Sequence, residues 1–203
     1  MNETASTSLL PSRVLILGLG ETGVAAARWC VRNGALLRVA DTRETPAGLN
    51  VLASMVELAT VELHLGCEVF NASLLDGIGL IILSPGLAPS QSPVKELLEQ
   101  AALASIEVIG EIELFARALQ QLQRSQNYAP RVVGVTGTNG KTTVTALTRH
   151  MLSAAGIHAR AAGNIGPAAL ESLMDALDAN ALPAVWVLEL SSFQLEKIGR
   201  AHV

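Results

Sequence analysis

The sequence predicts an α/β protein, with a Rossmann-like, doubly wound parallel sheet followed by the first part of a second, phosphate-binding unit. Short apolar runs alternate with segments of helical periodicity, which is typical of parallel strands joined by crossover helices. Half of the 203 residues are hydrophobic but only 3% are aromatic, so we expect an aliphatic core. Glycine-rich turns follow two of the apolar runs, and each turn indicates a ligand site in one unit.

The first unit is predicted to span residues 13–123, after a disordered lead-in at residues 1–12. Its strands are the apolar runs at residues 14–17, 36–40, 61–65, 80–83 and 107–109. Its first helix is predicted to follow the glycine-rich turn at residues 18–23 and to run to about residue 33, and the others are predicted at residues 49–58, 70–75, 92–104 and 111–123. Gly34 is placed to end the first helix, and Pro93 suits the first turn of the fourth.

A polar stretch at residues 120–130 contains four glutamines, an asparagine and a proline, and residues 124–130 are predicted to link the two units. The second unit begins at Arg131 and continues to Val203. Its strands are predicted at residues 132–135, 158–161 and 184–189, and its helices at residues 141–155 and 167–177. Because so small an open sheet buries little surface, we expect this unit to be truncated and the chain to be a fragment.

Charge and cysteine content narrow the class of protein. The formal net charge of −4 argues against a general nucleic-acid binder. Cys30 and Cys67 show neither metal-ligand nor disulfide spacing, so we expect reduced thiols. No segment reaches the roughly 18 apolar residues of a membrane span. We therefore expect a cytoplasmic monomer with no nucleic-acid or membrane partner.

The most informative motif is RVVGVTGTNGKTT at residues 131–143, where an apolar run leads into a glycine-rich turn and a helix. Such a turn binds phosphate through backbone N–H groups and the helix N-terminus. Lys141 can reach the outer phosphates, and the Thr142 hydroxyl can ligate Mg²⁺. The spacing is unusual, because the first glycine of the common phosphate loop would fall at Val135 and Gly137 takes its place. The alternative is a tight turn with an unrelated lysine.

A second motif, GLGETG at residues 18–23, follows the first predicted strand and opens the first helix. With Asp41 about 20 residues further on, it matches a dinucleotide fingerprint in which Asp41 binds a ribose hydroxyl. An NAD enzyme is therefore one interpretation, and a turn whose glycines serve packing is another. A different phosphate ligand is the third. It is favoured by Arg43, which can stack on a base, and by residues 84–86 at the end of a central strand.

Two further residues follow predicted strands of the second unit. Glu189 comes after an apolar strand, where an acidic residue beside a phosphate loop often holds Mg²⁺; the alternative is a glutamate that faces solvent. Asn164 lies in a turn flanked by glycines and could bind a ligand, or could simply tolerate a left-handed conformation.

Taken together, these segments resemble the Mur ligases. The matching segments, in family order, are GLGETG at 18–23, DTRETP at 41–46, SPG at 84–86, GEIELF at 110–115, GTNGKTT at 137–143, GNIG at 163–166 and ELSSFQLE at 189–196. The phosphate loop is common to all Mur ligases and to folylpolyglutamate synthases. Residues 41–43, 110–115 and 189–196 are similar to the family member that adds D-glutamate.

The resemblance implies ATP- and Mg²⁺-dependent ligation of D-glutamate to UDP-N-acetylmuramoyl-L-alanine through an acyl phosphate, in peptidoglycan biosynthesis. It also implies that the first unit binds UDP rather than NAD. The implied substrate-binding residues are Glu21, Thr22, Asp41, Thr42, Arg43, Ser84, Pro85, Gly86 and Asn164. The implied ATP-binding residues are Gly137, Thr138, Asn139, Gly140, Lys141, Thr142 and Thr143, with Lys141 catalytic and with Thr142 and Glu189 as metal ligands.

Glu21 departs from the family pattern, because an apolar residue is expected beside the diphosphate. The D-glutamate site and the rest of the metal site are expected beyond Val203, so the chain alone is expected to be inactive. Two alternatives stay open at this point. One is another Mur ligase or a folylpolyglutamate-type enzyme, and the other is an NAD-binding oxidoreductase or a nucleotide-binding module without ligase activity.

Overall fold

The computed structural model describes residues 10–55 and 61–195, and within them it contains two parallel sheets. The strands are β1 (Arg13–Leu17), β2 (Leu36–Ala40), β3 (Val61–His64), β4 (Leu80–Leu83), β5 (Glu107–Ile109), β6 (Arg131–Val135), β7 (Ala159–Gly163) and β8 (Val185–Glu189). The helices are α1 (Glu21–Arg32), α2 (Leu49–Met55), α3 (Val94–Leu103), α4 (Glu111–Gln126), α5 (Lys141–Ala154), α6 (Ala169–Asp178) and α7 (Ser192–Leu195), with a 3₁₀ turn at Ala72–Leu75.

The first sheet has the strand order β3-β2-β1-β4-β5, and all of its strands are parallel. The apolar residues of β1 are fully buried because β1 lies in the middle of the sheet, between β2 and β4. The order reverses between β1 and β4, and ligands bind at such a point in doubly wound sheets. The predicted Rossmann-like fold of the first unit is confirmed.

The second sheet contains three strands in the order β6-β8-β7, so the last strand in sequence is the central one. Trp186 and Val187 in β8 are fully buried, as expected for a strand with a neighbour on each side. Helix α5 packs less completely, since Thr145 is its only buried residue and Leu147 and Met151 are more than half exposed.

Several predicted boundaries differ from those observed. Helix α4 continues to Gln126, so three of the seven residues of the predicted linker at 124–130 are helical, because buried Leu119 and Leu122 hold its last turns against the core. The chain leaves the helix at Asn127, which has a left-handed conformation. Strand β7 begins and ends later than predicted, and α6 begins at Ala169 rather than at residue 167. The predicted helix at 49–58 is observed to Met55; residues 56–60 and 1–9 lie outside the described residues.

The two units share one hydrophobic core. Phe115 of α4 meets Trp186 of β8 edge to face, with ring centroids 5.4 Å apart. Tyr128, in the short connection between α4 and β6, accepts a hydrogen bond from the Trp186 indole and donates one to the Pro183 carbonyl. Arg28 of α1 pairs with Glu171 of α6. The first unit is thereby packed directly against the second. Among the described residues, no helix is long and apolar enough to cross a lipid bilayer.

Candidate functional site

The phosphate loop connects β6 to α5 as predicted. Gly137 and Gly140 have positive φ angles of 144° and 73°, which let the chain turn sharply from strand to helix. The Lys141 ammonium group donates a hydrogen bond to the Gly137 carbonyl over 2.8 Å. Thr142 and Thr143 lie in the exposed first turn of α5. The loop therefore presents a cation, two hydroxyl groups and a helix N-terminus at one place, the combination that binds phosphate.

Glu189 is the last residue of β8. This strand lies between β6, which leads to the phosphate loop, and β7, which leads to the Asn164 turn. Glu189 is in register with Val135, which ends β6 before the phosphate loop, and with Gly163, which ends β7 before the Asn164 turn. This position follows from the strand order, because the carboxyl ends of parallel strands meet at one edge of the sheet. The sequence-predicted residues of the second unit are thus brought together.

The Asn164 turn lies tightly against the end of β8. Asn164 donates its backbone N–H to the Glu189 carbonyl and its side-chain amide to Glu189 Oε1, each over 2.9 Å. Gly163 has a φ of 102°, and a Cβ atom on it would lie 2.4 Å from the Glu189 carbonyl oxygen. Only glycine fits there, so the GNIG segment is built for close approach to the glutamate.

The carboxylate of Glu189 is suited to hold a divalent cation. The residue is 2% exposed, and its Oε2 atom has no hydrogen-bond partner in the described part of the chain. A buried carboxylate oxygen without a partner is costly, and a cation held between it, the Thr142 hydroxyl and phosphate oxygens would satisfy it. Among the described residues, no group of three or more histidine, cysteine or acidic side chains could hold a metal ion without further ligands.

The predicted site of the first unit lies at the carboxyl ends of three adjacent strands, β2, β1 and β4. The Ser84 hydroxyl, after β4, donates a hydrogen bond of 2.7 Å to the carbonyl of Gly18, after β1. A Cβ atom on Gly23 would lie 2.0 Å from that same carbonyl, so the third glycine of the motif allows α1 to pack on the turn. Thr22 and Pro85 are half-buried, whereas Glu21, Thr42, Arg43 and Gly86 are exposed.

Asp41 organises this site from within. It is 1% exposed; its Oδ2 atom accepts the Leu19 N–H over 2.7 Å, and the Arg43 guanidinium bonds both carboxylate oxygens over 2.9 and 2.7 Å. Burial by itself raises the pKa of Asp41, but the hydrogen bonds from Arg43 and Leu19 outweigh it and hold the pKa below its usual value. In this arrangement the carboxylate oxygens face the protein, so Asp41 acts by fixing Leu19 and Arg43.

We expect Asp41→Asn to lower the free energy of unfolding near neutral pH by about 1–3 kcal/mol, because buried donors lose their charged acceptor. Since the pKa of Asp41 is lowered by folding, its stabilisation is present above the unfolded pKa and is lost on acidification. The difference between variant and parent should therefore shrink in urea unfolding curves as the pH falls below the ordinary aspartate pKa of 3.8. Glu44→Gln, on the same loop but exposed, is the control and should leave stability nearly unchanged. A constant difference at all pH values would contradict the assigned contacts.

Comparison with known proteins decides the family. The model of the Mur ligase MurD-like N-terminal domain matches residues 12–110, and the model of the Mur ligase middle domain matches residues 135–203. The chain belongs to the Mur ligase family. The first match covers the first sheet and ends just before α4, and the second begins at the end of β6, so residues 111–134 lie between the two matches. The parallel α/β architecture predicted from sequence is that of this family.

Several curated relatives of this Mur ligase chain carry the same name. A UDP-N-acetylmuramoylalanine–D-glutamate ligase of Bordetella parapertussis is 64% identical over 97% of this chain and 39% of its own length. The enzyme of that name from Ralstonia nicotianae is 55% identical over 90% of this chain and 36% of its own length. The chain thus spans well under half of these relatives. The match to a solved murein peptide ligase from Psychrobacter arcticus covers 90% of this chain and 39% of the ligase chain, with 18% sequence identity and a TM-score of 0.46. This likeness is too weak to support conclusions.

Two buried polar residues at the junction of the units were not assigned a role from sequence. Glu111 is the first residue of α4, and Gln194 lies in α7, where its side chain accepts hydrogen bonds from Ser191. Both line a small cavity together with Ser84 and Pro85. The signal was available only as part of the GEIELF and ELSSFQLE segments, because sequence spacing does not show which residues meet across two sheets.

Proposed function

We propose that this chain supplies the nucleotide-sugar site and the phosphate loop of an ATP-dependent ligase, which joins D-glutamate to UDP-N-acetylmuramoyl-L-alanine in peptidoglycan synthesis. The observation that carries the proposal is the buried Glu189 carboxylate, with one oxygen unpartnered within the described residues, between the phosphate loop and the Asn164 turn. The names of the curated relatives support the choice of acceptor. We also propose that the protein is cytoplasmic and monomeric.

In the second unit, residues 137–143 would bind ATP. Lys141 would offset negative charge on the outer phosphates, and Thr142 and Glu189 would hold Mg²⁺, which supplies charge neutralisation when bound. Asn164, fixed to Glu189, would contact the muramoyl-alanine end of the substrate. The work of these side chains is positioning and charge stabilisation, which is the main protein contribution to phosphoryl transfer.

In the first unit, the UDP group would lie over the turn after β1. The residues proposed to form its site are Glu21, Thr22, Asp41, Thr42, Arg43, Ser84, Pro85 and Gly86. Asp41 would act through Leu19 and Arg43, which it binds. The backbone N–H groups at the start of α1 suit a diphosphate, whereas the Glu21 carboxylate does not. Arg43 is more than half exposed although it is paired with Asp41, so one face of its guanidinium is open to a base.

The chemistry follows from the resistance of a carboxylate to attack by an amine. Transfer of the γ-phosphoryl group of ATP to the alanyl carboxylate releases ADP and gives an acyl phosphate. The D-glutamate amine then attacks the acyl carbon, forms the amide and expels phosphate. We assign no residue of this chain to the D-glutamate site.

The test is a measurement of ADP release by the whole protein. We expect release to require UDP-N-acetylmuramoyl-L-alanine and D-glutamate together. Release with a different amino acid, and not with D-glutamate, would assign the chain to another Mur ligase or to a folylpolyglutamate-type enzyme. Calorimetric titrations with UDP and with NAD test the remaining alternative, an NAD-binding oxidoreductase or a nucleotide-binding module. We expect the protein to bind UDP and not NAD. Binding of NAD without binding of UDP would refute the proposal.

A further inference from the structure

Glu111 forms a hydrogen bond that joins the two units. It is the first residue of α4 and follows directly on the end of β5, in the first sheet. Its side chain is 3% exposed, and its Oε1 atom accepts the N–H of Leu170 over 2.6 Å. Leu170 lies in the first turn of α6, 59 residues further along the chain and in the second unit. A buried carboxyl group of one unit therefore binds the backbone of the other.

This contact supplies a cap that α6 otherwise lacks. The first amides of a helix have no partner within the helix, and a side chain at the N-cap position normally binds one of them. The N-cap residue of α6 is Ala168, and no side-chain cap from it is present among the described residues. Glu111 caps α6 from outside the helix. An acidic group at the N-terminus of a helix is also favoured by the helix dipole. The start of α6 is thus fixed to the first unit.

The start of α6 is in turn fixed to the Asn164 turn. The Gly163 N–H binds the Pro167 carbonyl over 3.0 Å, and the Gly166 N–H binds the Gly163 carbonyl over 2.9 Å. These bonds close the turn that leads into the helix. At its other end Asn164 is bound to Glu189. A displacement of α6 relative to the first unit would therefore move Asn164, and with it the group that orients the Glu189 carboxylate.

Glu111 also borders the site of the first unit. It lines the same small cavity as Ser84 and Pro85, which follow β4. One side of the residue thus meets the proposed nucleotide-sugar site, and its carboxyl oxygen reaches the helix that carries the Asn164 turn. No other described residue combines these two contacts.

We infer that Glu111 is a positioning residue, which holds the Asn164–Glu189 pair at a fixed place relative to the nucleotide-sugar site. The inference rests on the proposed function, because it concerns the alignment of the two substrates of that ligation. Misplacement of reacting groups by about 1 Å can cost roughly a hundredfold in rate. The proposed ATP site lies within the second unit, so binding of ATP does not depend on this alignment, whereas the UDP-sugar would contact both units.

The charge state of Glu111 selects the conservative variant. The pKa of Glu111 is raised to about 7, chiefly by burial and also by the Glu21 carboxylate on α1, although the N–H groups of Leu170 and Ala169 lower it. Near neutral pH the side chain is therefore partly uncharged. Glutamine has the same length, stays neutral and keeps the acceptor for the Leu170 N–H, while aspartate is shorter by one methylene group and cannot reach it.

The experiment compares Glu111→Asp and Glu111→Gln in the whole protein, with Glu113→Asp as the matched control. Glu113 lies on the same helix and is equally buried, but it pairs with Arg117. We expect Glu111→Asp to lower kcat by about ten- to a hundredfold, with the KM for ATP changed less than about threefold. Glu111→Gln should recover most of kcat, and Glu113→Asp should stay within about twofold of the parent.

Hydrogen exchange measures the contact itself and requires no turnover. The Leu170 amide should be protected in the parent protein and in Glu111→Gln, although a first-turn amide normally exchanges freely. It should lose protection in Glu111→Asp. A freely exchanging Leu170 in the parent, unchanged kcat in Glu111→Asp, or an equal loss in Glu113→Asp would each overturn the inference. If the parent protein forms no ligation product with D-glutamate, the proposed function is refuted. Hydrogen exchange at Leu170 still tests the Glu111–Leu170 contact in that case.

Discussion

Replacement of Lys141 by alanine is expected to reduce ligase turnover by about a hundred- to a thousandfold, the usual cost of removing one preorganised electrostatic group. In the structure the Lys141 ammonium lies over the loop, 2.8 Å from the Gly137 carbonyl. With ATP bound, the same group would lie beside the oxygens that gain negative charge during transfer. Turnover is measured as ADP release by the whole protein with all three substrates.

The affinity for the UDP-sugar separates a local from a general effect of this substitution. Because the nucleotide-sugar site belongs to the first sheet, Lys141→Ala should bind UDP-N-acetylmuramoyl-L-alanine within about twofold of the parent. Lys95→Ala is the matched control, since Lys95 is exposed on α3 and pairs only weakly with Glu99. Retained turnover in Lys141→Ala would refute the role of the lysine, and loss of UDP-sugar binding would indicate that the fold had been disturbed.

The central strands of the first sheet were predictable from sequence because they are buried on both faces. Leu36–Ala40, Leu80–Leu83 and Glu107–Ile109 have the predicted bounds, and each is a short apolar run between turns. The end of α4 was harder to predict. The polar residues after Leu119 indicated a linker, yet they lie on the solvent side of a helix whose buried side holds Leu122. Polarity alone therefore could not distinguish an exposed helix face from a connection.

Part of the candidate site could likewise be predicted from the sequence, and part could not. The phosphate loop, Asn164 and Glu189 follow strands, so their common edge could be predicted from the rule for parallel sheets. The order β6-β8-β7, which places Glu189 between the two loops, could not, because strand order depends on packing between distant segments. For the same reason the Glu111–Leu170 contact, 59 residues apart in sequence, was visible only in the structure.

Asp41 shows the limit of motif reasoning. Its distance from the glycine-rich turn matches the dinucleotide fingerprint, and that rule assigns its carboxylate to a ribose. In the structure, Leu19 and Arg43 bind both of its oxygens. The same residue type at the same spacing thus orders the turn and the arginine, and a motif that fixes backbone geometry does not by itself identify the ligand.

Glu189→Gln is the second change with a large expected effect. Glutamine keeps an oxygen for the Asn164 amide and replaces the unpartnered Oε2 atom by an NH₂ group of similar size, so the fold should persist. It removes the negative charge that would hold Mg²⁺. We expect turnover to fall by about a hundredfold or more and the Mg²⁺ dependence of ADP release to shift to higher concentration.

Asn164→Ala distinguishes the effect of the Glu189 charge from the effect of the orientation of its carboxylate. It removes one hydrogen bond to Glu189 and leaves the carboxylate in place, so turnover should fall by about tenfold or less. In that variant the KM for UDP-N-acetylmuramoyl-L-alanine should rise, while the Mg²⁺ dependence stays that of the parent. An unchanged Mg²⁺ dependence in Glu189→Gln would exclude Glu189 as a metal ligand. The Oε2 atom would then be a buried acceptor without a partner, and the proposed function would lose the observation that carries it.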